Sequence, residues 1–310
     1  MNNEGKMLTV KSRFFKSAAA LSVAALALTA CGNGGSDEGD NGEASEGNGG
    51  EVTIGVFNGW DEGVAVSELW KYILEDEGYE VELEYADPAP AFSGVVSGDY
   101  DLVMDGWLPV THEDYVEEYG DDMVDLGVWN DEAVLTIAVN EDAPIESLDE
   151  LADNADEVGN ALVGIEPGAG LTRVTQDEVI PTYGLEDMDY TTSSTPAMLQ
   201  EVDTALANGD NIAVTLWRPH WAYDEYPMRD LEDPEGALGE AESIHTFANP
   251  DFVDENDQVA EWIGNFEMDS ETLHSLENLM FNENADADDY QPIVEEWVAD
   301  NQEYVDGLTE

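Results

Sequence analysis

Trp60, Trp107 and Trp217 each close a β-prone apolar run: VTIGVFNGW, YDLVMDGW and NIAVTLW. A fourth run, LVGIEPGAG, closes on Gly170 at a Gly-rich turn. In open α/β sheets, ligands sit at the carboxyl ends of strands. Indole faces attract a cation that they can strip of water. A Gly-rich turn opening a helix offers backbone N–H groups to an anion. Taken together, the four strand ends suit a small ligand with both charges, such as a quaternary ammonium carboxylate. That cation donates no hydrogen bond, so aromatic faces are expected to serve it better than carboxylates.

These four ends need a scaffold, and periodicity supplies one. A strand at 52–57 leads to Gly59-Trp60. The next segment carries Val66, Leu69, Trp70, Ile73 and Leu74 at i, i+3, i+4, i+7 and i+8, which predicts a helix with Trp70 in its core face. A strand at 81–86, a short helix at 88–97 and a strand at 100–105 bring the chain to Trp107. The motif continues as Leu108-Pro109-Val110-Thr111-His112. A strand at 133–140 then leaves this first lobe. In the second, Ser147 is expected to cap a helix over 148–158. A strand at 162–166 runs into the Gly-rich turn, with a helix from about Thr172. Thr195 and Pro196 read as an N-cap and N1 pair before a helix that buries Leu199, Val202 and Leu206. Asn208-Gly209 ends it, and a strand at 211–217 delivers Trp217-Arg218-Pro219-His220-Trp221. After an extended piece at 243–250 the chain turns helical. One apolar stripe there holds Val259, Trp262, Ile263 and Phe266, and another holds Ile293, Val294, Trp297 and Val298. This segment is expected to return to the first lobe. The expected division is 51–140 plus 244–310 for lobe 1 and 141–243 for lobe 2, with no repeat at solenoid periods.

Composition limits the partners. The 310 residues carry 73 acids against 8 bases. Four of those bases (Lys6, Lys11, Arg13, Lys16) and one acid (Glu4) precede Cys31, leaving 72 acids and 4 bases, or −68, from there on. Nucleic acid is excluded as a partner on charge alone. Apolar periodicity persists almost to the end, which argues against an acidic disordered chain. So few lysines among so many carboxylates read as adaptation to high salt, where screening removes the mutual repulsion.

Residues 1–30 read as an export signal. A basic stretch precedes AALSVAALALTA, too short to span a bilayer permanently. It ends in Leu28-Thr29-Ala30-Cys31, which resembles a bacterial lipobox and marks Cys31 for lipidation. Cys31 is the only cysteine, so no intrachain disulfide is possible. Residues 31–50 are Gly, Ser, Asn, Asp and Glu with almost nothing apolar, a flexible acidic tether. A lipid and a tether put the folded part outside the cell, near the outer face of the membrane.

Four motifs in this order carry a family resemblance. They are Gly59-Trp60-Asp61-Glu62, Gly106-Trp107-Leu108-Pro109-Val110-Thr111-His112, Gly164-Ile165-Glu166-Pro167-Gly168-Ala169-Gly170-Leu171 and Trp217-Arg218-Pro219-His220-Trp221. Over about 52–305 the chain resembles the substrate-binding lipoprotein of a glycine betaine/proline betaine ABC transporter. The resemblance implies an α/β, two-lobed fold of the type II periplasmic-binding-protein kind, with the ligand cleft between lobes. It implies a cation cage of Trp60, Trp107 and Trp217. It implies a carboxylate held by the N–H groups of Gly170 and Leu171 and by His112. The implied partners are a small zwitterion and the transmembrane permease, with osmoprotection as the purpose and no cofactor.

Other residues near these motifs carry two readings each. Trp129 and Trp221 are ambiguous between packing and site, and Trp221 reads as a back wall. His220 reads as either a second layer of the site or the cap of a local turn. Arg173 and Arg218 adjoin site motifs, and either hold strand ends or lock the lobes. The four histidines show no metal-ligand spacing. No Gly-x-Ser-x-Gly or zinc motif supports a hydrolase. A binding protein is therefore expected, not an enzyme. The alternatives are a choline, carnitine or ectoine binder of the same fold, or a solute sensor. Choline has no carboxylate for the Gly-rich turn to hold.

Overall fold

The computed structural model describes residues 49–309 other than 286. The export signal, Cys31 and nearly all of the tether lie outside the described residues.

The first stretch folds as β1 (Glu51–Phe57), α1 (Asp61–Asp76), β2 (Glu80–Ala86), α2 (Pro88–Ser97), β3 (Leu102–Leu108), α3 (Glu113–Tyr119) and β4 (Val124–Asn140). The middle holds α4 (Leu148–Leu151), β5 (Ala161–Gly164), α5 (Gly170–Val174), α6 (Ile180–Tyr183), β6 (Asp189–Thr192), α7 (Thr195–Asn208), β7 (Ala213–Arg218), α8 (Ala222–Glu225) and β8 (Met228–Asp230). The chain closes with β9 (Glu242–Ala248), α9 (Pro250–Glu255), α10 (Asp257–Gly264), α11 (Ser270–Glu277), α12 (Gln291–Asp300) and α13 (Gln302–Asp306).

The strands lie in the order β2-β1-β3-β9-β4-β7-β5-β6, with β8 also on β4. β1 is parallel to β2 and to β3, and β5 is parallel to β6 and to β7. The carboxyl ends of β1 and β3 therefore emerge on one side of their group, and those of β5 and β7 on one side of theirs. Placement of Trp60, Trp107, Gly170 and Trp217 follows from this parallel pairing.

β4 joins the two groups. Val124 to Ala133 pairs with β9, and Val134 to Val139 pairs with β7. Sequence pattern predicts only its second part, 133–140. The first part contains Asp125, Gly127, Asn130 and Asp131, and its register with β9 shifts three times. Gly127 takes φ +132°, which a side-chain-bearing residue rarely adopts. Bulges of this kind break the two-residue alternation by which a strand is recognised. β2, at one edge of the sheet, keeps strict alternation. Glu80, Glu82 and Glu84 share the face opposite Val81, Leu83 and Tyr85, and acids along an edge discourage pairing with another chain.

α1 forms because its apolar residues share one stripe. Leu69, Trp70 and Leu74 are fully buried, and Trp70 meets Phe266 edge-on at 5.5 Å. α2 begins with Pro88 in its first turn and ends at Gly98 in the left-handed region, φ +77°.

Three local expectations need correction. Ser147 does not cap a long helix: its hydroxyl donates to the Glu232 carbonyl at 3.2 Å, and α4 stops at Leu151. The cap of α7 is Ser194, whose Oγ accepts from the Ala197 N–H at 3.3 Å. Thr195 instead donates its N–H and hydroxyl to Glu166, at 2.7 and 3.1 Å. Trp262 is half-buried against the core and not enclosed by it. Trp297 is buried, with its indole N–H on Ser275 Oγ at 2.8 Å. Trp129 turns out to be packing: it lies against Phe266 and donates to the Met104 carbonyl at 2.6 Å.

Candidate functional site

Trp60, Trp107 and Trp217 line one small buried cavity of about 10 Å³, together with Glu62, Thr111, Leu135, Ile165 and Leu171. Each indole is almost wholly buried. The Trp60 and Trp217 ring centroids are 6.1 Å apart at 40°. Gly59, at φ +76°, makes the turn that swings Trp60 off the end of β1. Trp60 then rests edge-on against Phe57 at 5.4 Å. Trp107 is anchored by its indole N–H, which donates to Asp105 Oδ1 at 2.8 Å. Trp217 packs edge-on against His220 at 4.6 Å.

His112 sits behind this wall. Its ring stacks on Trp60 at 5.4 Å and 18°. Its Nδ1 accepts the Trp107 backbone N–H at 2.9 Å. Burial, aided by the Arg173 charge, pushes its pKa down to about 3, so the ring is neutral. A neutral imidazole that accepts at Nδ1 carries its proton on Nε2. That Nε2 is buried with no hydrogen-bond partner among the described residues.

Gly170 and Leu171 open α5, a helix that continues through a π turn into α6. The first i to i−4 bond there is Arg173 N–H to the Ala169 carbonyl, at 3.1 Å. The N–H groups of Gly170 and Leu171 precede it and are not used by the helix. Glu242 holds the facing turn: its carboxylate accepts the N–H groups of Val110 and Thr111, at 2.7 and 2.8 Å, and the Thr111 hydroxyl at 2.6 Å.

The two arginines take different roles. Arg173 reaches from α5 to the Val110 carbonyl at 2.7 Å and approaches Asp114 at 3.4 Å, so it ties the Gly-rich turn to the turn after Trp107. Arg218 pairs with Asp230 at 2.7 Å and lies 3.6 Å over the Tyr223 ring, all within the 213–230 stretch. Trp221 donates its indole N–H to Asp61 at the start of α1. His220 accepts the Ala222 N–H at 3.0 Å, a local turn cap, while backing Trp217.

Sequence reasoning missed the acids of this region. Glu62 is fully buried in the cavity wall. Asp105 and Glu277 are buried close by, and all are held toward the protonated form. Burial pushes the Asp61 carboxyl up to about 7, against the Trp221 hydrogen bond and with help from Glu166. Burial likewise pushes Glu62 up to about 8, opposed by its own backbone N–H and the nearby indole N–H of Trp217 and assisted by Asp61. Asp105 and Glu277 are raised by burial first, then by Glu62. The motif Gly59-Trp60-Asp61-Glu62 contains two of these residues. Nothing in a chain of 73 acids distinguishes the few that are buried. Among the described residues no group of His, Cys, Asp or Glu could hold a metal ion, and no helix is long and apolar enough to cross a membrane.

The family model for the substrate-binding domain of ABC-type glycine betaine transport systems matches residues 50–300. The chain belongs to this family. A glycine betaine/carnitine transport binding protein of Listeria monocytogenes is 29% identical over 155 residues, 49% of this chain. The aligned part spans 50% of the Listeria protein's length. The lactococcal protein OpuAC, in its closed-liganded conformation complexed with glycine betaine, superposes with a TM-score of 0.77 at 25% identity. That match covers 84% of this chain and 99% of the lactococcal one. The glycine betaine/L-proline-binding protein ProX of Borrelia burgdorferi gives 0.76 at 27%, over 82% and 95%. The family fold is that of the type II periplasmic binding proteins, and this chain has it. Its members are transport substrate-binding proteins that work outside the cytoplasm.

Proposed function

We propose that this protein captures glycine betaine, or a closely related trimethylated zwitterion, and delivers it to an ABC permease. One observation carries the reading: three indoles and Leu171, in the first turn of α5, converge on a single buried cavity. In this reading Trp60, Trp107 and Trp217 enclose the trimethylammonium group. Each desolvated ring contributes about 0.5–2 kcal/mol. The carboxylate takes the N–H groups of Gly170 and Leu171 and the Nε2 proton of His112. A carboxylate-free ligand such as choline would leave those donors unpaired, at a cost of about 1–3 kcal/mol for each buried group.

The proposed lobes are 51–140 with 244–310, and 141–243. Trp60, Trp107 and His112 then come from the first, and Trp217, Gly170 and Leu171 from the second. Each charged end of the ligand bridges both, so closure and binding are one event. The protein binds its ligand and does not convert it. Cys31 carries the lipid, and 31–50 tethers the domain to the outer face of the membrane.

Calorimetry of the full-length protein in molar salt tests the ligand class, using glycine betaine, proline betaine, choline, carnitine, ectoine and glycine. Trimethylated zwitterions bind and glycine does not, because an aromatic cage cannot replace the hydration of a primary ammonium. Glycine competing as well as glycine betaine would overturn the reading.

A further inference from the structure

Two polar side chains stand in the wall of the aromatic cavity, Thr111 and Glu62. Thr111 is spent on Glu242. Glu62 is not: it is fully buried, and neither carboxyl oxygen has a hydrogen-bond partner among the described residues. The indole N–H of Trp217, in the same wall, is also without a hydrogen-bond acceptor among the described residues.

A buried carboxylate needs a counter-charge, and the described residues supply none here. From residue 49 onward there are four basic side chains, and each is engaged elsewhere. Lys71 pairs with Glu75, Arg173 with Val110 and Asp114, Arg218 with Asp230, and Arg229 with the carbonyls of Ala143 and Ile145. The groups facing Glu62 make its ionisation harder. Asp61 precedes it on α1. Asp105 comes from β3, close enough that a Cβ on Gly63 would lie 2.5 Å from its Oδ2. Glu277 comes from α11. All three are carboxyls, and burial holds all three up toward the neutral form. An unpaired ion in such surroundings neutralises instead of remaining charged.

We propose that Glu62 is the counter-charge for the ligand's cation, carried as a neutral acid in the closed cavity until the cation enters and releasing its proton to solvent as the ion pair forms. This rests on the binding reading above and adds a residue and a proton to it. The balance is simple: a protonated Glu62 and a zwitterion give a Glu62 carboxylate beside the ligand cation, plus one proton in water. No bond of the ligand changes. The cage then selects for formal positive charge through an anion as well as through ring quadrupoles. The trimethyl shape alone does not satisfy it.

The probe pair is glycine betaine and 3,3-dimethylbutanoate, which has the same shape with carbon in place of the cationic nitrogen. Both are titrated into full-length wild-type protein and Glu62→Gln by calorimetry. The titrations use two buffers of different ionisation enthalpy, from pH 6 to 9 in molar salt. Wild type is expected to release close to one proton per glycine betaine at pH 7. Its affinity should rise up to about tenfold per pH unit and level off above about pH 8. Glu62→Gln should lose that proton and that slope. Its preference for glycine betaine over 3,3-dimethylbutanoate should fall at least about tenfold, the loss expected for a desolvated charge pair. Comparison with the variant separates Glu62 from Asp61, Asp105 and Glu277. A wild type that binds glycine betaine with no proton release at pH 7 overturns the inference without any variant. A Glu62→Gln protein with unchanged proton count and preference overturns it as well. A wild type that binds no trimethylated zwitterion overturns the binding reading itself.

Discussion

Gly170 lies so close to Thr111 that a Cβ on the glycine would come within 2.2 Å of the Thr111 carbonyl oxygen. Glu242 fixes that carbonyl's own turn through three hydrogen bonds. The approach of the Gly-rich turn to the turn after Trp107 therefore depends on a missing side chain. Gly170→Ala should hold the two turns apart and weaken ligand binding by at least about tenfold, or about 1.4 kcal/mol. Gly168, two residues earlier, has no atom of the described residues within 4 Å of where its Cβ would lie. Gly168→Ala should leave affinity within about twofold, since a substitution without steric consequence rarely exceeds ~0.5 kcal/mol. Equal losses in both variants, measured by calorimetry, would show that the close approach is not what matters.

The tryptophans divide by position. Trp60, Trp107 and Trp217 face the cavity. Trp70 and Trp297 do not, and both are buried on helices. Alanine at any cavity position should reduce affinity about 30-fold, from ~2 kcal/mol of desolvated cation–π contact. Phe or Tyr should lose much less. Alanine at Trp70 or Trp297 should lower stability by ~3–5 kcal/mol while the folded fraction keeps its affinity. Trp262, only half-buried, should show a smaller version of the second behaviour. Fluorescence titration paired with urea denaturation of each variant would separate the two groups.

Glu62 should also leave a mark on stability. Burial holds its carboxyl at about 8 in the folded protein, against roughly 4.3 in an unfolded chain. Between those values the folded state keeps a proton that the unfolded state has lost, so this group's contribution falls as pH rises. Glu62→Gln removes the titration. Without ligand, the variant should match wild type near pH 5 and exceed it at pH 8 by roughly 1–4 kcal/mol. His112 and His220 are held down by burial at about 3 and slope the other way between that value and about 6.5. They are common to both proteins and cancel in the difference. Parallel stability curves for the two proteins would contradict the assignment.

Much of this site could be read directly from the chain, for a local reason. A β-prone run followed by Gly-Trp or Trp-Arg-Pro fixes both the strand and the residue at its end, within about ten positions. Trp60, Trp107 and Trp217, which line one cavity, needed nothing more to be singled out, whereas Leu171 rests on the family motif. Glu62 needed burial, which depends on Asp105 from β3 and Glu277 from α11, far away in sequence. Local pattern also misled where a polar side chain had a distant partner. Thr195 looks like a cap because the Thr-Pro pair is a good one, yet Glu166 takes it and Ser194 caps in its place. Ser147 is drawn off in the same way by Glu232. The first half of β4 has bulges where a strand should alternate.

Salt should be needed for folding. The residues from Cys31 onward carry −68, and at 0.01 M ionic strength the Debye length is about 30 Å, so this charge repels itself across the whole domain. The melting temperature should rise with NaCl or KCl up to molar concentrations. Thermal scans that coincide in dilute buffer and in molar salt would rule out the high-salt reading of the composition.

A crystal structure of the protein grown with glycine betaine in molar salt tests the central claim most directly. The account predicts the trimethylammonium nitrogen within about 6 Å of the ring centroids of Trp60, Trp107 and Trp217. It also predicts the ligand carboxylate within hydrogen-bonding distance of the Gly170 and Leu171 N–H groups and of His112 Nε2. Glycine betaine bound outside this cavity, or seated in it with its carboxylate among the indoles, would contradict the account.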